Sequence, residues 1–119
     1  MDILPRVREL QKYIATGRIL DAMAEFYDEN CAMQENANPP VVGRAANIER
    51  EKQFLAQVKT FKVYEVKSLA VADDTAFVES VLEYVDQADR PVRLEQVSVS
   101  RWRNGKILHE RFYYDSAKK

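Results

Sequence analysis

The sequence predicts an α+β domain in which three N-terminal helices pack on a strongly curved, mostly antiparallel sheet, in the order ααβαββββ. Two observations predict this class. Before Lys59 the apolar residues recur mainly at the helical spacing, and from Lys59 onward they alternate with polar residues at period two. In addition, Asn104-Gly105 separates two alternating runs, and this dipeptide favours a tight β-hairpin because it tolerates positive φ.

The first two helices follow from apolar spacing and from the residues that start and stop them. Asp2 can cap the first helix, Pro5 is tolerated in its first turn, and Gly17 ends it. The second helix is predicted over Arg18–Tyr27, where the apolar residues lie on a single side.

The third helix is predicted over Arg44–Val58. It follows a predicted loop over Asn36–Gly43, whose two prolines and two asparagines suit no regular element. Residues 49–53 of this helix should face water. Its buried stripe should be formed by Ala45, Ile48, Leu55 and Val58.

Period-two alternation predicts the strands. A short strand is expected over Cys31–Glu35, and longer strands are expected over Thr60–Ala72 and Thr75–Asp86. The run from Val92 to Asp115 supplies the last two strands, one on each side of the Asn104-Gly105 turn. Short connections make the last four strands neighbours in the sheet.

Composition restricts the class of protein. The 119 residues fit one domain over residues 1–119. The formal net charge of −1 gives no field that would attract nucleic acid or an anionic membrane, so neither is an expected partner. The N-terminal residues do not have the form of a signal peptide, no apolar run is long enough to span a bilayer, and the single cysteine allows no internal disulfide. We therefore expect a soluble cytoplasmic protein.

Metal and cofactor sites have little support in the sequence. His109 and Cys31 are the only residues of their types, which argues against a structural zinc site. Cys31 lies in a predicted strand after a helix and should be buried and inert. The three glycines are scattered along the chain, so they form no phosphate-binding loop. We expect no metal and no cofactor.

Two segments resemble one known family. They are F-Y-D-E-N-C-A-M-Q-E-N at residues 26–36 and R-W-R-N-G-K-I-L-H-E-R-F-Y-Y-D at residues 101–115, with Gly43 opening a helix between them. Together they resemble the SnoaL-like branch of the nuclear transport factor 2-like superfamily. The resemblance implies a cone, in which a bent sheet wraps a long helix and leaves an internal pocket for a small molecule. It also implies a homodimer formed through the outer face of the sheet.

The resemblance indicates a fold more strongly than a reaction, because the superfamily includes isomerases, cyclases, epoxide hydrolases, dehydratases and non-catalytic modules. Steroid isomerases carry a tyrosine where this chain has Leu10, and a second acid where it has Ser98 or Ser100. The missing oxyanion pair argues against ketosteroid isomerisation. The predicted function is binding of a small hydrophobic oxygen-bearing molecule, with cofactor-free isomerisation, cyclisation or dehydration as its chemistry. The alternative is a non-catalytic dimer module that binds a ligand or a protein.

The resemblance also assigns the faces of the last strand. Relatives place catalytic groups on the face that holds Glu110, Phe112 and Tyr114, so this face should line the pocket. The opposite face should then lie outside or at the dimer contact. Its members would be Ile107, His109, Arg111, Tyr113 and Asp115.

The register of the neighbouring strand depends on the turn, because a slip of one residue exchanges the two faces. A two-residue turn would place Glu95, with Val97 and Val99, beside Glu110. A three-residue loop with a bulge at Gly105 would place Gln96 and Ser98 there instead. Similarity to the steroid isomerases favours the second arrangement.

For the preceding predicted strand, Thr75–Asp86, either face could likewise line the pocket. Glu79 and Glu83 are predicted on the outer face, with Arg93 near them. The predicted pocket face of this strand consists of Val78, Ser80, Leu82 and Tyr84.

Two carboxylates are the candidate catalytic residues. Glu35 ends the first strand where steroid isomerases carry the Asp that transfers a proton, so it is the predicted general base, and anchoring of the loop is the alternative. Glu110 would lie deep in the cone as an acid or hydrogen-bond donor, or it would pair with an arginine. For the aromatic residues among the predicted ligand contacts, packing in the core is the alternative. These contacts are Tyr27, Asn36, Gln96, Ser98, Trp102, Phe112 and Tyr114.

Overall fold

Residues 2–116, the part of the chain that the computed structural model describes, form three helices and six strands in the order ααββαββββ. The helices are α1 (Leu4–Ala15), α2 (Ile19–Phe26) and α3 (Arg44–Ala56). The strands are β1 (Tyr27–Glu35), β2 (Val41–Val42), β3 (Val58–Ala72), β4 (Thr75–Asp86), β5 (Pro91–Arg103) and β6 (Lys106–Tyr114). None of the helices in this range is long and apolar enough to cross a membrane.

The strands form one curved, mixed sheet in the order β2-β1-β6-β5-β4-β3. Neighbouring strands run antiparallel except β1 and β6, which are parallel. Register shifts in β3 and β6 mark bulges, which increase the local twist and bend a sheet. The α+β class with three helices is therefore confirmed, whereas the predicted order lacked β2.

The predicted loop over Asn36–Gly43 contains this additional strand. Val41 and Val42 pair with Met33 and Ala32 on the free edge of β1. Two β-branched residues in succession favour extended backbone, and β1 offers them hydrogen-bonding groups. The pairing brings the start of α3 against β1.

The boundaries around α2 and α3 also differ from the predicted ones. Tyr27, predicted to end the second helix, has extended backbone and begins β1, four residues before the predicted strand. Val58, predicted to end the third helix, begins β3 and pairs with Asp86. In both cases pairing in the sheet replaces the last turn of a helix, because tertiary contacts override local propensity.

The hairpin between β5 and β6 combines a two-residue turn with a bulge. Asn104 and Gly105 both have positive φ, 54° and 76°, as a tight turn of two residues requires. Trp102 pairs with Ile107, but Arg101 pairs with His109, so one extra residue on β6 shifts the register. The predicted bulge at Gly105 is therefore wrong in position. The register beyond it places Gln96 and Ser98 on the face of Glu110, as the second predicted arrangement required.

This bulge corrects the predicted face of Ile107. The resemblance predicts this side chain on the outer face, but it is completely buried in the core between the sheet and α2. Beyond the bulge the alternation is as predicted, because Glu110 is buried and Tyr113 is exposed. The core on the helical side of the sheet includes Val7, Leu10, Met23, Phe26 and Ile107.

The buried side of α3 differs from the predicted stripe. Ala45 is exposed, and Asn47 is buried, where its amide donates hydrogen bonds to the carbonyls of Val41 and Gly43. Glu51, predicted to face water, is partly buried instead. This rotation of α3 determines which side chains reach the candidate site.

Candidate functional site

A chamber of about 240 Å³ lies between the helices and the inner face of the sheet, and we call it the inner chamber. Met23 of α2 and Glu51 of α3 contribute to its helical side. Five of the predicted site residues line it from the strands. They are Tyr27, Gln96, Ser98, Glu110 and Phe112.

A second depression of about 500 Å³ adjoins the inner chamber, and we call it the outer vestibule. It lies between α3 and the ends of β4, β5 and β6, and Glu35 and Tyr114 line it. The two spaces share six lining residues and are therefore contiguous. The shared residues are Glu51, Phe54, Leu82, Tyr84, Gln96 and Phe112.

Glu110 is the buried carboxyl of the inner chamber. Its residue is 5 % exposed, and its Oε1 atom accepts a hydrogen bond from the phenol of Tyr27. The pKa of Glu110 is raised to about 7, mainly by burial. The hydrogen bond from Tyr27 lowers this pKa, and the charge of Glu51 raises it. Near neutral pH this carboxyl can therefore both accept and release a proton.

Tyr27 holds its proton in this pair. Burial, followed by the charge of Glu110, raises the pKa of Tyr27 well above its ordinary range. The phenol is consequently a permanent hydrogen-bond donor at physiological pH. It reaches Glu110 because β1 and β6 run parallel and Tyr27 begins β1.

Glu51 is a second carboxyl of the chamber that sequence reasoning missed. Burial raises its pKa, the neighbouring Arg50 lowers it, and the charge of Glu35 raises it. A signal was present in the sequence. Glu51 follows Ile48 by three positions and precedes Leu55 by four, which places all three on one side of a helix.

Tyr64 is another polar residue of the chamber that sequence reasoning did not select. It lies on β3, and its phenol donates a hydrogen bond to Oε1 of Gln11 on α1. Burial raises the pKa of Tyr64 to about 12, against the effect of a hydrogen bond with Ser80. This phenol therefore stays neutral and links α1 to the sheet.

Glu35 lies in the outer vestibule rather than in the inner chamber. Its Oε2 atom accepts a hydrogen bond from Nη1 of Arg50 at 2.6 Å, and its Oε1 atom accepts one from the phenol of Tyr114. Both oxygens of this partly exposed carboxylate are thus engaged. The arrangement ties the end of β1 to α3 and to β6.

Asn36 and Trp102, two predicted ligand contacts, line neither space. Oδ1 of Asn36 accepts the backbone N–H of Tyr114 at 3.0 Å, and its positive φ of 50° turns the chain out of β1. Trp102 is buried at the hairpin, where its indole N–H donates to Oγ of Ser100 at 2.9 Å. Both side chains therefore support the loop and the hairpin instead of facing the chamber.

No cluster of three or more histidine, cysteine, aspartate or glutamate side chains within residues 2–116 could hold a metal ion. Cys31 is completely buried, and burial, followed by the charge of Glu110, raises the pKa of its thiol. The thiol is therefore protonated and shielded.

The sequence profile of the SnoaL-like domain family matches residues 7–110, which is most of the chain. The protein belongs to the SnoaL-like family. The predicted resemblance to the SnoaL-like family is therefore confirmed. No curated protein matches this SnoaL-like chain.

Solved structures support the same fold. A nuclear transport factor 2-like protein of unknown function from Burkholderia pseudomallei has a TM-score of 0.84 at 14% identity, over 98% of this chain and 94% of its own. A protein named as a candidate isomerase from Bacillus subtilis has a TM-score of 0.82 at 19% identity, over 98% and 91%. A protein named as a candidate SnoaL-like polyketide cyclase from Jannaschia has a TM-score of 0.82 at 15% identity, over 95% and 85%. At these identities the likeness establishes the fold and leaves the reaction open.

Proposed function

We propose that this SnoaL-like protein binds a small hydrophobic, oxygen-bearing molecule in the inner chamber and carries out acid–base chemistry beside its carbonyl group. The reaction would be an isomerisation, a cyclisation or a dehydration that needs no cofactor. The observation that carries the proposal is the buried pair of Glu110 and Tyr27 in the wall of the chamber.

Glu110 has the properties of a general acid–base group. Its pKa of about 7 keeps both protonation states populated near neutral pH, which is the condition for efficient proton transfer. Its Oε1 atom is engaged by Tyr27, and no described side chain donates a hydrogen bond to its Oε2 atom. We propose that Oε2 exchanges the proton with the ligand.

Polar groups on β5 would orient the ligand. Gln96 and Ser98 line the same chamber and lie opposite Tyr114 and Phe112 on β6. An amide and a hydroxyl can donate hydrogen bonds to a carbonyl oxygen, while Phe112 supplies apolar contact. A mostly apolar chamber with a few polar groups is the usual form of a small-molecule site.

Glu35, which the sequence predicts as the general base, remains the alternative to Glu110 in that role. In the outer vestibule it would act only on a ligand that extends beyond the inner chamber. Its contacts with Arg50 and Tyr114 favour an anchoring role, and the position of Glu110 inside the chamber favours Glu110 for proton transfer.

Exchange of α-hydrogens on cyclohexanone tests this chemistry without knowledge of the natural substrate. Proton NMR in D₂O would follow loss of the α-hydrogen signal with wild type, Glu110→Gln and Glu35→Gln, and ligand-observed NMR would measure binding of the same ketone. We expect wild type to accelerate exchange and Glu110→Gln to reduce the acceleration by about 10²-fold or more with binding retained. Loss of exchange in Glu35→Gln alone would instead identify Glu35 as the base.

A second candidate function is a non-catalytic dimer module. The outer face of the sheet carries a contiguous apolar group, the outer patch, formed by Phe77, Val97, Val99 and Tyr113. Phe77, Val97 and Tyr113 are 39%, 38% and 44% exposed, which is high for large apolar residues at neighbouring positions. We propose that a second copy of this chain covers the outer patch. Ketone binding without accelerated exchange would favour the non-catalytic module.

A further inference from the structure

The charged groups of the inner chamber are all of one kind. Its lining includes two carboxyls, Glu51 and Glu110, and none of the described residues that line it is a lysine, an arginine or a histidine. Two guanidinium groups of α3 lie near the chamber without lining it. Arg50 forms its ion pair with Glu35 and lowers the pKa of Glu51, and Arg44 donates a hydrogen bond to the backbone carbonyl of Tyr27 at 3.2 Å. The chamber therefore provides acceptors of positive charge and no fixed cation.

Aromatic side chains line the same chamber as these carboxyls. Phe54 and Tyr84 meet edge to face, with ring centroids 5.4 Å apart, where the chamber joins the outer vestibule. Phe61, Tyr64 and Phe112 line the same chamber. Aromatic faces attract cations, and the attraction is strongest where water is excluded.

We propose that the ligand of the inner chamber carries a basic nitrogen and binds as an ammonium ion paired with Glu110 and Glu51, with the aromatic rings around it. This inference rests on the proposed role of the chamber as a ligand site and narrows the class of ligand. An ammonium ion inside the chamber would find the carboxylates that a buried cation needs. A ligand carboxylate at the same position would have no cationic partner.

The groups that face Glu110 determine whether ligand binding releases its proton. They are Tyr27 and Cys31 on β1, Glu51 on α3 and Tyr64 on β3, and none of them carries a positive charge. A bound ammonium ion would favour the ionised carboxylate of Glu110, so binding should displace its proton. Ligand binding would thus increase the negative charge of the chamber.

The outer vestibule adds little net charge to the approach. Its lining carboxylates Glu35 and Asp86 are paired with Arg50 at 2.6 Å and with Arg90 at 3.2 Å, and Glu51 is shared with the inner chamber. Selection for the sign of the ligand charge would therefore come from Glu51 and Glu110 in the chamber.

The volume of the chamber sets the size of a suitable probe. An engineered apolar cavity of about 150 Å³ binds benzene. At about 240 Å³ the inner chamber can accept one ring with a short substituent. Benzylamine, benzyl alcohol and benzoate share one ring and one carbon substituent and differ in charge, so they form a matched set.

The test is binding of these three probes to the full chain at about pH 7, measured by isothermal titration calorimetry and ligand-observed NMR. We expect benzylamine to bind at least about tenfold more tightly than benzyl alcohol, and benzoate to bind most weakly. Repeating the benzylamine titration in phosphate and in Tris, which differ in ionisation enthalpy, should reveal proton release. Glu110→Gln should abolish both the preference for benzylamine over benzyl alcohol and the release of a proton on binding.

The other outcomes separate this inference from the proposed function. If benzyl alcohol binds as tightly as benzylamine, the ammonium inference is wrong while the chamber remains a site for oxygen-bearing ligands. If none of the probes binds, both proposals fail. Glu51→Gln on α3 serves as a second variant in case Glu110→Gln does not fold, and a preference that survives in every folded variant would overturn the pairing with these carboxylates.

Discussion

The phenol of Tyr27 donates a hydrogen bond to the carboxyl of Glu110, and both residues are almost completely buried. The two residues are 83 positions apart in the chain, and the parallel pairing of β1 with β6 brings them together. Burial raises the pKa of each group, so a neutral donor and a proton-exchanging carboxyl face one chamber.

Glu110 should make the protein less stable as the pH rises. Its pKa is about 7 in the folded protein and about 4.5 ordinarily, so the folded state retains a proton that the unfolded chain releases. The stability associated with this group is complete below pH 4.5 and decreases up to about pH 7. The predicted loss is up to about 3 kcal/mol.

Glu110→Gln should remove that loss, because the amide stays neutral and its carbonyl can still accept the Tyr27 hydrogen bond. Urea unfolding at about pH 5 and about pH 8 would measure the free energy of unfolding. We expect the variant to be the more stable protein at the higher pH. The exposed Glu29→Gln is the control, and the same pH dependence in wild type and in Glu110→Gln would contradict the assignment.

Glu35 should contribute modestly to stability through Arg50. The side chains are 35% and 37% exposed, and ion pairs exposed to this extent are worth about 1 kcal/mol or less. We expect Glu35→Gln, Arg50→Gln and the double variant to lose similar amounts in urea unfolding, since each breaks the same pair. Arg93 and Glu83, also 2.6 Å apart on the outer face, provide a matched control pair. Additive losses from Glu35→Gln and Arg50→Gln would show that the two side chains act independently.

Cys31 should not react with Ellman's reagent in the folded protein. The thiol is completely buried, and burial raises its pKa, so the reactive thiolate is scarce and inaccessible. Unfolding in concentrated urea should release one reactive thiol per chain. Rapid stoichiometric reaction without urea would show that β1 opens easily beside the chamber.

The outer patch should mediate association of two chains. Val97→Glu would place a charge in the middle of the patch, and sedimentation velocity should then show a monomer where wild type shows a dimer. Val42→Glu is the control, because Val42 is 67% exposed on β2, away from the outer patch. A monomeric wild type at micromolar concentration would remove the dimer proposal.

Local chemistry made the position of the hairpin predictable, because Asn104-Gly105 tolerates the positive φ of a tight turn. The favoured three-residue loop was wrong. Alternation along β6 groups Glu110 with Phe112 and Tyr114, and the resemblance to the family, not the alternation, assigned that face to the pocket. The bulge near Ile107 was not predictable in the same way. It follows from the fit of Ile107 into the core against α2, which is a contact between distant parts of the chain.

Glu51 shows a different limit of prediction from the sequence, which concerns the orientation of α3. A run of charged residues on a helix normally faces water, and residues 49–53 were interpreted in that way. The orientation of α3 depends on β2, because Asn47 is fixed by the carbonyls of Val41 and Gly43. A two-residue strand is too short to be recognised from composition, so the rotation of α3 was not predictable. The signal for Glu51 itself was its spacing from Ile48 and Leu55, which places it on the predicted buried side of the helix.

Titration of the Glu110 carboxyl carbon by NMR would measure its pKa in the folded protein. Protein with ¹³C-labelled glutamate would be compared with Glu110→Gln, which identifies the signal by its absence. We expect a midpoint of about 7 for Glu110, because the chamber wall excludes water from the carboxyl. A midpoint close to 4.5 would mean that water solvates Glu110, and the chamber would then lack the proton-exchanging group on which the proposed function depends.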